Sequence, residues 1–351
     1  MGLIHAAASA TSAATFTYKL GKSIYIPLTS FCNTKTLPET RGPNFTLPSH
    51  VIQALLNVRQ AEFIKSDSLQ IHNRKSYYPT QENQLPFRTC QEYRKENLYP
   101  PSTIQPLLQI MEDMYDDNHH QQSLRQEKED EIVGGLAMYL CSIFLQYENY
   151  DDYTCFPSRR ILLQQVQAEM KSSQQDPTET TKSITNNDNI DCIVMGGEGE
   201  PLLRYPDILF LSLAIREAYP TIPIRIQTNG YISISTQQQG HPHSLLKLFK
   251  LVGVTHFTIT LPTTSSSLYI HLMDPSVTPI RIITCEKEQL TSTTTASALE
   301  AVCTFIQQCI MEGFHVEVTS IDRPDVDKET VETLARDLGV VHPVRWRTYH
   351  P

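Results

Sequence analysis

Asp191-Cys-Ile-Val-Met-Gly-Gly-Glu-Gly-Glu-Pro-Leu-Leu203, followed by Pro223-Ile-Arg-Ile-Gln-Thr-Asn-Gly230, decides the fold. Each stretch reads as a short apolar strand that ends in small and polar residues, where the backbone can approach a ligand closely. Helical periodicity fills residues 205–219 between them, and the rhythm continues with a helix over 244–252 and a strand over 255–261. Strand, helix, strand, helix, strand with short loops is the pattern of a parallel α/β sheet with right-handed crossovers.

Working outward, residues 23–29 (SIYIPLT) read as the first strand and 48–64 as a helix behind a proline start. Residues 66–130 turn polar, with one helix expected over 102–115, and residues 132–147 (IVGGLAMYLCSIFLQY) form the most apolar run. Residues 158–171 are amphipathic with a serine at the cap position, and 172–189 form a low-complexity linker. Past residue 261, the segment 276–297 is irregular and threonine-rich around the short apolar 280–284. A helix over 298–312, a strand over 314–320 and a helix over 328–338 follow.

Six strands in all predict an α/β fold, a partial (β/α)6 TIM-like barrel with a long, partly helical, acidic insertion. The expected divisions are a flexible or transit-like N-terminus at 1–22, the first strand and start of the barrel at 23–64, the insertion at 65–157 and the rest of the barrel at 158–351. In such a fold the loops leaving the C-terminal ends of the strands form the ligand face. Residues 196–201, 228–230 and the loop at Cys32 all fall there, which makes them one expected site. The plainer reading gives Gly196, Gly197 and Gly199 to turns and Thr-Asn-Gly to a helix cap.

The net charge is −9, and residues 112–152 hold eleven acids against Arg125 and Lys128, enough to account for all of it. Such a run is a solvated face or a dock for a basic protein partner. No basic stripe marks a nucleic-acid footprint, and the 132–147 run is shorter than the ~20 residues a bilayer span needs. Eight cysteines occur without a CxxC, which points to a reducing intracellular compartment, cytoplasm or organelle. Neither His119-His120 nor His241-Pro-His243 has zinc-type partners at a recognised spacing.

The two strand-end motifs resemble those of the radical S-adenosylmethionine superfamily, in which Gly-Gly-Glu or Gly-Glu-Pro follows the second strand and Thr-Asn-Gly often follows the third. The chain looks most like the TatD-associated subgroup, over about residues 23–64 and 158–349. Gly253-Val-Thr-His-Phe-Thr-Ile-Thr-Leu261, Tyr269-Ile-His-Leu-Met-Asp-Pro275 and Arg345-Trp-Arg-Thr-Tyr349 extend it. The resemblance implies that Gly197, Gly199, Glu200 and Pro201 meet the amino end of S-adenosylmethionine. It likewise implies that Thr228 and Asn229 meet its ribose or carboxylate oxygens.

The family holds a [4Fe–4S] cluster on CxxxCxxC, whereas this chain reads Phe31-Cys-Asn-Thr-Lys-Thr-Leu-Pro-Glu-Thr-Arg-Gly. Cys32 stands at the first ligand position as a vestige, with Thr36 and Glu39 at the second and third, and a threonine hydroxyl is a poor substitute for a thiolate. The expectation is therefore a degenerate barrel that binds S-adenosylmethionine or a related nucleoside-like anion without a conventional cluster. Thr36, Thr40 and Arg41 are the anion-binding candidates in the replaced loop. One rival is an active radical enzyme with an atypically ligated cluster. Another is a non-catalytic scaffold that recruits a partner through the acidic insertion. Glu198 and Glu200 are candidates for proton transfer only if one is buried. Arg345 and Arg347 read as surface charge on a terminal strand or as reaching an anionic substrate over the barrel.

Overall fold

The computed structural model describes residues 14–30, 32–69, 157, 159–174, 190–234, 245–275, 280–282 and 297–351. The strands are β1 (Tyr18–Leu20), β2 (Ser23–Ile26), β3 (Cys192–Met195), β4 (Ile224–Thr228), β5 (Ile232–Ile234), β6 (Val254–Thr260), β7 (Ile280–Ile282), β8 (His315–Asp322) and β9 (Arg345–Thr348). The helices are α1 (Leu37–Thr40), α2 (Ser49–Leu69), α3 (Arg159–Gln174), α4 (Tyr205–Ala218), α5 (Leu245–Leu251), α6 (Ser266–Met273), α7 (Ala298–Met311) and α8 (Lys328–Asp337).

Seven strands form one sheet in the order β1-β2-β3-β4-β6-β8-β9, curled into a half-barrel. From β2 to β9 every pairing is parallel. Five of the expected strands are thus present as β2, β3, β4, β6 and β8, and Arg345–Thr348 supplies the sixth parallel strand of the sheet. The apolar stretch near residue 280 is not in this sheet; β7 pairs with β5 in a separate two-stranded sheet.

The N-terminus differs from the sequence reading. Residues 14–22 belong to the fold, ahead of the boundary expected at residue 23. Tyr18–Leu20 pairs antiparallel with β2 through a turn in which Gly21 takes a positive φ of 57°. Phe16 is fully buried, and the Gln165 side chain on α3 accepts hydrogen bonds from the Phe16 and Thr17 backbone N–H groups at 2.7 and 3.1 Å. The helices expected over 102–115 and 132–147, the acidic run 112–152 and the paired histidines lie outside the described residues.

Strand side chains alternate between two faces, and the two faces of this sheet differ. Ile24 and Ile26, Ile193 and Met195, Ile224 and Ile226, Phe257 and Ile259, and Val316 and Val318 point outward and are buried beneath the helices as the main core. The parallel register aligns the other set across the concave face: Tyr25 with Val194, Val194 with Arg225, Gln227 with Thr258, Thr258 with Glu317, Thr260 with Thr319, and Thr319 with Arg345. A parallel sheet covered by apolar layers on both sides reads as near-continuous hydrophobic runs. Here the outer half of each strand is apolar, while the concave half is mostly polar apart from Val194 and Ile321.

Local signals set the helix starts. Ser297 caps α7 by accepting from the Glu300 N–H at 3.2 Å, and Asp327 caps α8 by accepting from Glu329 N–H at 3.0 Å. A buried ionic cluster fixes α3 and α4 to the sheet. Asp207 lies 2.7 Å from Arg204 Nε and 3.5 Å from Arg159 Nε, and Arg204 also donates to the backbone carbonyls of Leu28 and Pro157. Among the described residues no helix is long and apolar enough to cross a membrane.

Candidate functional site

The 196–201 turn leaves β3 at its C-terminal end, and two close approaches explain its small residues. A Cβ on Gly197 would stand 2.6 Å from Pro27 Cβ, and one on Gly196 2.9 Å from Gln227 Cβ, so the turn lies tight against the strands on either side. Glu200 then caps a 3-10 turn (Pro201–Arg204), with Pro201 at the first position, where its missing N–H is harmless.

Glu200 is only 1% exposed, and its carboxylate is used within the protein. Oε1 accepts from the Leu202 N–H at 3.0 Å and the Thr228 hydroxyl at 2.8 Å, and Oε2 accepts from the Asn229 N–H at 2.8 Å. Burial pushes its acid constant up to about 7, while these three hydrogen bonds pull the other way. The carboxylate therefore ties the end of β3 to the end of β4.

Asn229 extends the tie to the third loop. Its side-chain NH2 donates to Asn33 Oδ1 at 2.7 Å and Thr34 Oγ1 at 3.1 Å and approaches Cys32 Sγ at 3.5 Å. Its Oδ1 accepts from the Tyr231 N–H at 2.8 Å, and Asn33 donates back to the Tyr231 carbonyl at 2.9 Å. Gly230 follows at φ 74°, with a Cβ there only 2.7 Å from Ile259 Cγ2, so no other residue suits the turn. The three motifs expected to share one end of the barrel are joined by direct hydrogen bonds.

The replaced loop is held differently from the sequence expectation. Thr36 and Glu39, at the second and third cluster positions, bond each other: both the Thr36 N–H and its hydroxyl donate to Glu39 Oε2 at 2.7 Å, a capping box that opens α1. Thr40 is buried and lines a cavity of about 80 Å³ together with Lys35, His271 and Arg323. Arg41 donates from Nε to the Thr348 carbonyl at 2.8 Å and lies over the Phe45 ring, so it ties the first parallel strand's loop to the last strand.

These residues do not fit a [4Fe–4S] cluster on the family pattern. One thiol is present, the other two positions are occupied with each other, and burial followed by the Glu200 charge pushes the Cys32 thiol up. Cys192 opens β3 at the end opposite residue 196, and Cys303 and Cys309 lie on α7. Among the described residues no group of three or more His, Cys, Asp or Glu is placed to hold a metal ion. Cys90, Cys141 and Cys155 lie outside them.

Glu198, the other carboxylate of the turn, is buried and paired with Arg59 on α2, whose Nε donates at 2.7 Å. Two features escaped the sequence reading. The Tyr269 hydroxyl on α6 is fully buried without a hydrogen-bond partner among the described residues; burial pushes its acid constant up, and the charges of Tyr231, Glu200 and Cys32 add to the shift. The second is the polar concave face, whose signal was the alternation in Val254-Thr-His-Phe-Thr-Ile-Thr260 and His315-Val-Glu-Val-Thr319.

No protein-family model matches the sequence, and no curated protein matches it significantly. The fold and the site geometry therefore carry the functional reading.

Proposed function

We propose that this chain is a diverged barrel of the radical S-adenosylmethionine type that binds S-adenosylmethionine or a related nucleoside-like anion at the C-terminal strand ends, without a conventional [4Fe–4S] cluster. The observation that carries the reading is the joined strand-end network, in which Glu200, Thr228, Asn229 and the Cys32 loop meet in the order the family resemblance implies. Because the Glu200, Thr228 and Asn229 side chains are all engaged by other groups of the protein, their role is to shape the rim. The ligand meets the partly exposed backbone at Gly197 and Gly199 beside Asn33.

The reading needs no iron, since hydrogen bonds and apolar contact suffice to hold a nucleoside. Calorimetric titration with S-adenosylmethionine and with adenosine monophosphate tests it, together with iron and sulfide analysis after anaerobic reconstitution. Saturable binding of either ligand to iron-free protein is expected. About four irons per chain, the content of a [4Fe–4S] cluster, would make the protein a radical enzyme instead, and binding of neither ligand would end the reading.

A further inference from the structure

The concave face of the half-barrel carries more positive charge than the described residues balance. Among the described residues whose register places them on that face, Arg225, Arg345 and Arg347 are opposed by one carboxylate, Glu317. Glu317 Oε2 is already shared, accepting from Arg225 Nη1 at 2.8 Å and the Thr258 hydroxyl at 3.3 Å, with Arg345 Nη2 at 3.8 Å. Nothing comparable neutralises Arg347. Its side chain makes no hydrogen bond or ion pair with a described residue, and the charges that bear on it are the guanidinium groups of Arg345 and Arg41, with Tyr25 and the shared Glu317 acting more weakly the other way. Burial and then those two cations push its acid constant down to about 10. Tyr25, on the first parallel strand, also acts on Arg347 from the last, so the curl of the sheet brings both edges toward the same space.

A second, independent observation points to the same face. The hydroxyls of Thr260 and Thr319, residues 2% and 1% exposed, are adjacent in register and have no hydrogen-bond partner among the described residues, and neither has Arg225 Nε. Native structures rarely leave buried donors unmade, because each costs about 1–3 kcal/mol. Four unmet features on one concave surface, the Arg347 guanidinium without its own carboxylate, two hydroxyls and one guanidinium N–H, share one remedy, an oxyanion that accepts hydrogen bonds there; Arg345 is half exposed and solvated.

We infer that the half-barrel lumen is an oxyanion subsite for a small molecule bearing a phosphate or carboxylate group, with Arg347 as its cationic anchor and Thr260 and Thr319 as neutral donors. The site is built from residues distinct from those of the rim network. S-adenosylmethionine carries a sulfonium and an ammonium against one carboxylate, so its net charge is opposed by this lumen. An anionic nucleoside derivative or a separate anionic substrate fits it.

The test uses the full chain and inorganic phosphate or malonate as probes, which separates the phosphate source from the carboxylate source. Binding is read by calorimetry at low and high salt for the wild type and for Arg347→Met, Arg347→Lys and Arg336→Met. Arg336 is an exposed guanidinium on α8 and controls for general surface charge. The expected result is saturable, salt-sensitive binding of at least one probe, weakened tenfold or more by Arg347→Met, within about threefold of wild type in Arg347→Lys, and unchanged in Arg336→Met. Arg347→Met removes a charge that has no hydrogen-bond or ion-pair partner among the described residues, so its melting temperature is expected at or above that of the wild type, which keeps the variant measurable. Binding of neither probe overturns the inference. So does an Arg347→Met protein that binds as the wild type does, or an equal loss in Arg336→Met. Because the titration omits S-adenosylmethionine, failure here leaves the rim reading standing, and failure of that ligand at the rim leaves this inference standing.

Discussion

The rim and the lumen of the half-barrel both bury polar groups, and they differ in who satisfies them. At the rim, Glu200 accepts three hydrogen bonds and Asn229 uses both ends of its amide, every partner being another residue of the chain. In the lumen, Thr260, Thr319 and Arg225 Nε are buried without partners among the described residues, and the largest charges acting on Arg347 are two other guanidinium groups. A satisfied network specifies geometry, whereas an unsatisfied one is a binding site waiting for its complement. Substitutions at the rim are therefore expected to reduce stability, and substitutions in the lumen to reduce binding.

The largest effect expected is at Glu200. Alanine there leaves the Leu202 and Asn229 N–H groups and the Thr228 hydroxyl without an acceptor, and at about 1–3 kcal/mol for each unmet group the loss is on the order of 4 kcal/mol. Urea denaturation at pH 5 measures it. A loss below about 1 kcal/mol would mean that water replaces the carboxylate and that the rim is no more closed than the lumen.

Next comes the pH profile. The folded-state acid constant of Glu200 is raised from 4.5 to about 7, so between those values the folded protein holds a proton that the unfolded chain has released. Protonation there favours the fold: the contribution is complete below pH 4.5 and is lost as pH rises through 7. About 1.4 kcal/mol per unit gives a span of roughly 3 kcal/mol. Denaturation midpoints across pH 4.5–8 should fall accordingly in the wild type, and Glu200→Gln should flatten that decline. An identical slope in both proteins would place the titration elsewhere.

Asn229→Ala ranks third, at about 2 kcal/mol, since it breaks the amide's bonds to Asn33, Thr34 and the Tyr231 N–H at once. Hydrogen exchange sharpens this beyond a single number. Amides of the 32–36 loop should lose protection while those of β8 keep theirs, because the amide ties that loop to the end of β4.

How much of this was legible in the sequence follows the same division. The outer face was readable because Ile24 and Ile26, Ile193 and Met195, and Val316 and Val318 mark strands by apolar content alone. The rim motifs were readable as residue types at strand ends. Their direction was not: whether Asn229 points to a ligand or to Asn33 depends on contacts 196 residues apart. Thr36 and Glu39 stand three apart behind a short turn, the spacing of a capping box, yet alignment with cluster positions drew attention to their ligand chemistry. The lumen was legible only at its edge, where Arg345 and Arg347 read as surface charge or as reaching an anionic substrate; polar residues within the strands, such as Thr258 and Glu317, read as interruptions to a hydrophobic pattern. Their alternation with the apolar set is itself the sign of a concave polar face.

The smallest expected effect is the one that tests the comparison most sharply. Thr319→Val, at a residue 1% exposed, removes a hydroxyl that has no hydrogen-bond partner among the described residues, and replaces it with a methyl group of nearly the same shape. Were Thr319 part of a satisfied network like that of Asn229, the change would cost about 1–3 kcal/mol. If its hydroxyl is instead unmet in the ligand-free chain, burying a methyl group in its place should leave stability within about 0.5 kcal/mol of the wild type or raise it. The same substitution should weaken the binding of inorganic phosphate or malonate several-fold, because it removes one donor to the bound oxyanion. A residue that can be lost without harm to the fold, and only with harm to the complex, belongs to the ligand's site and not to the scaffold that frames it.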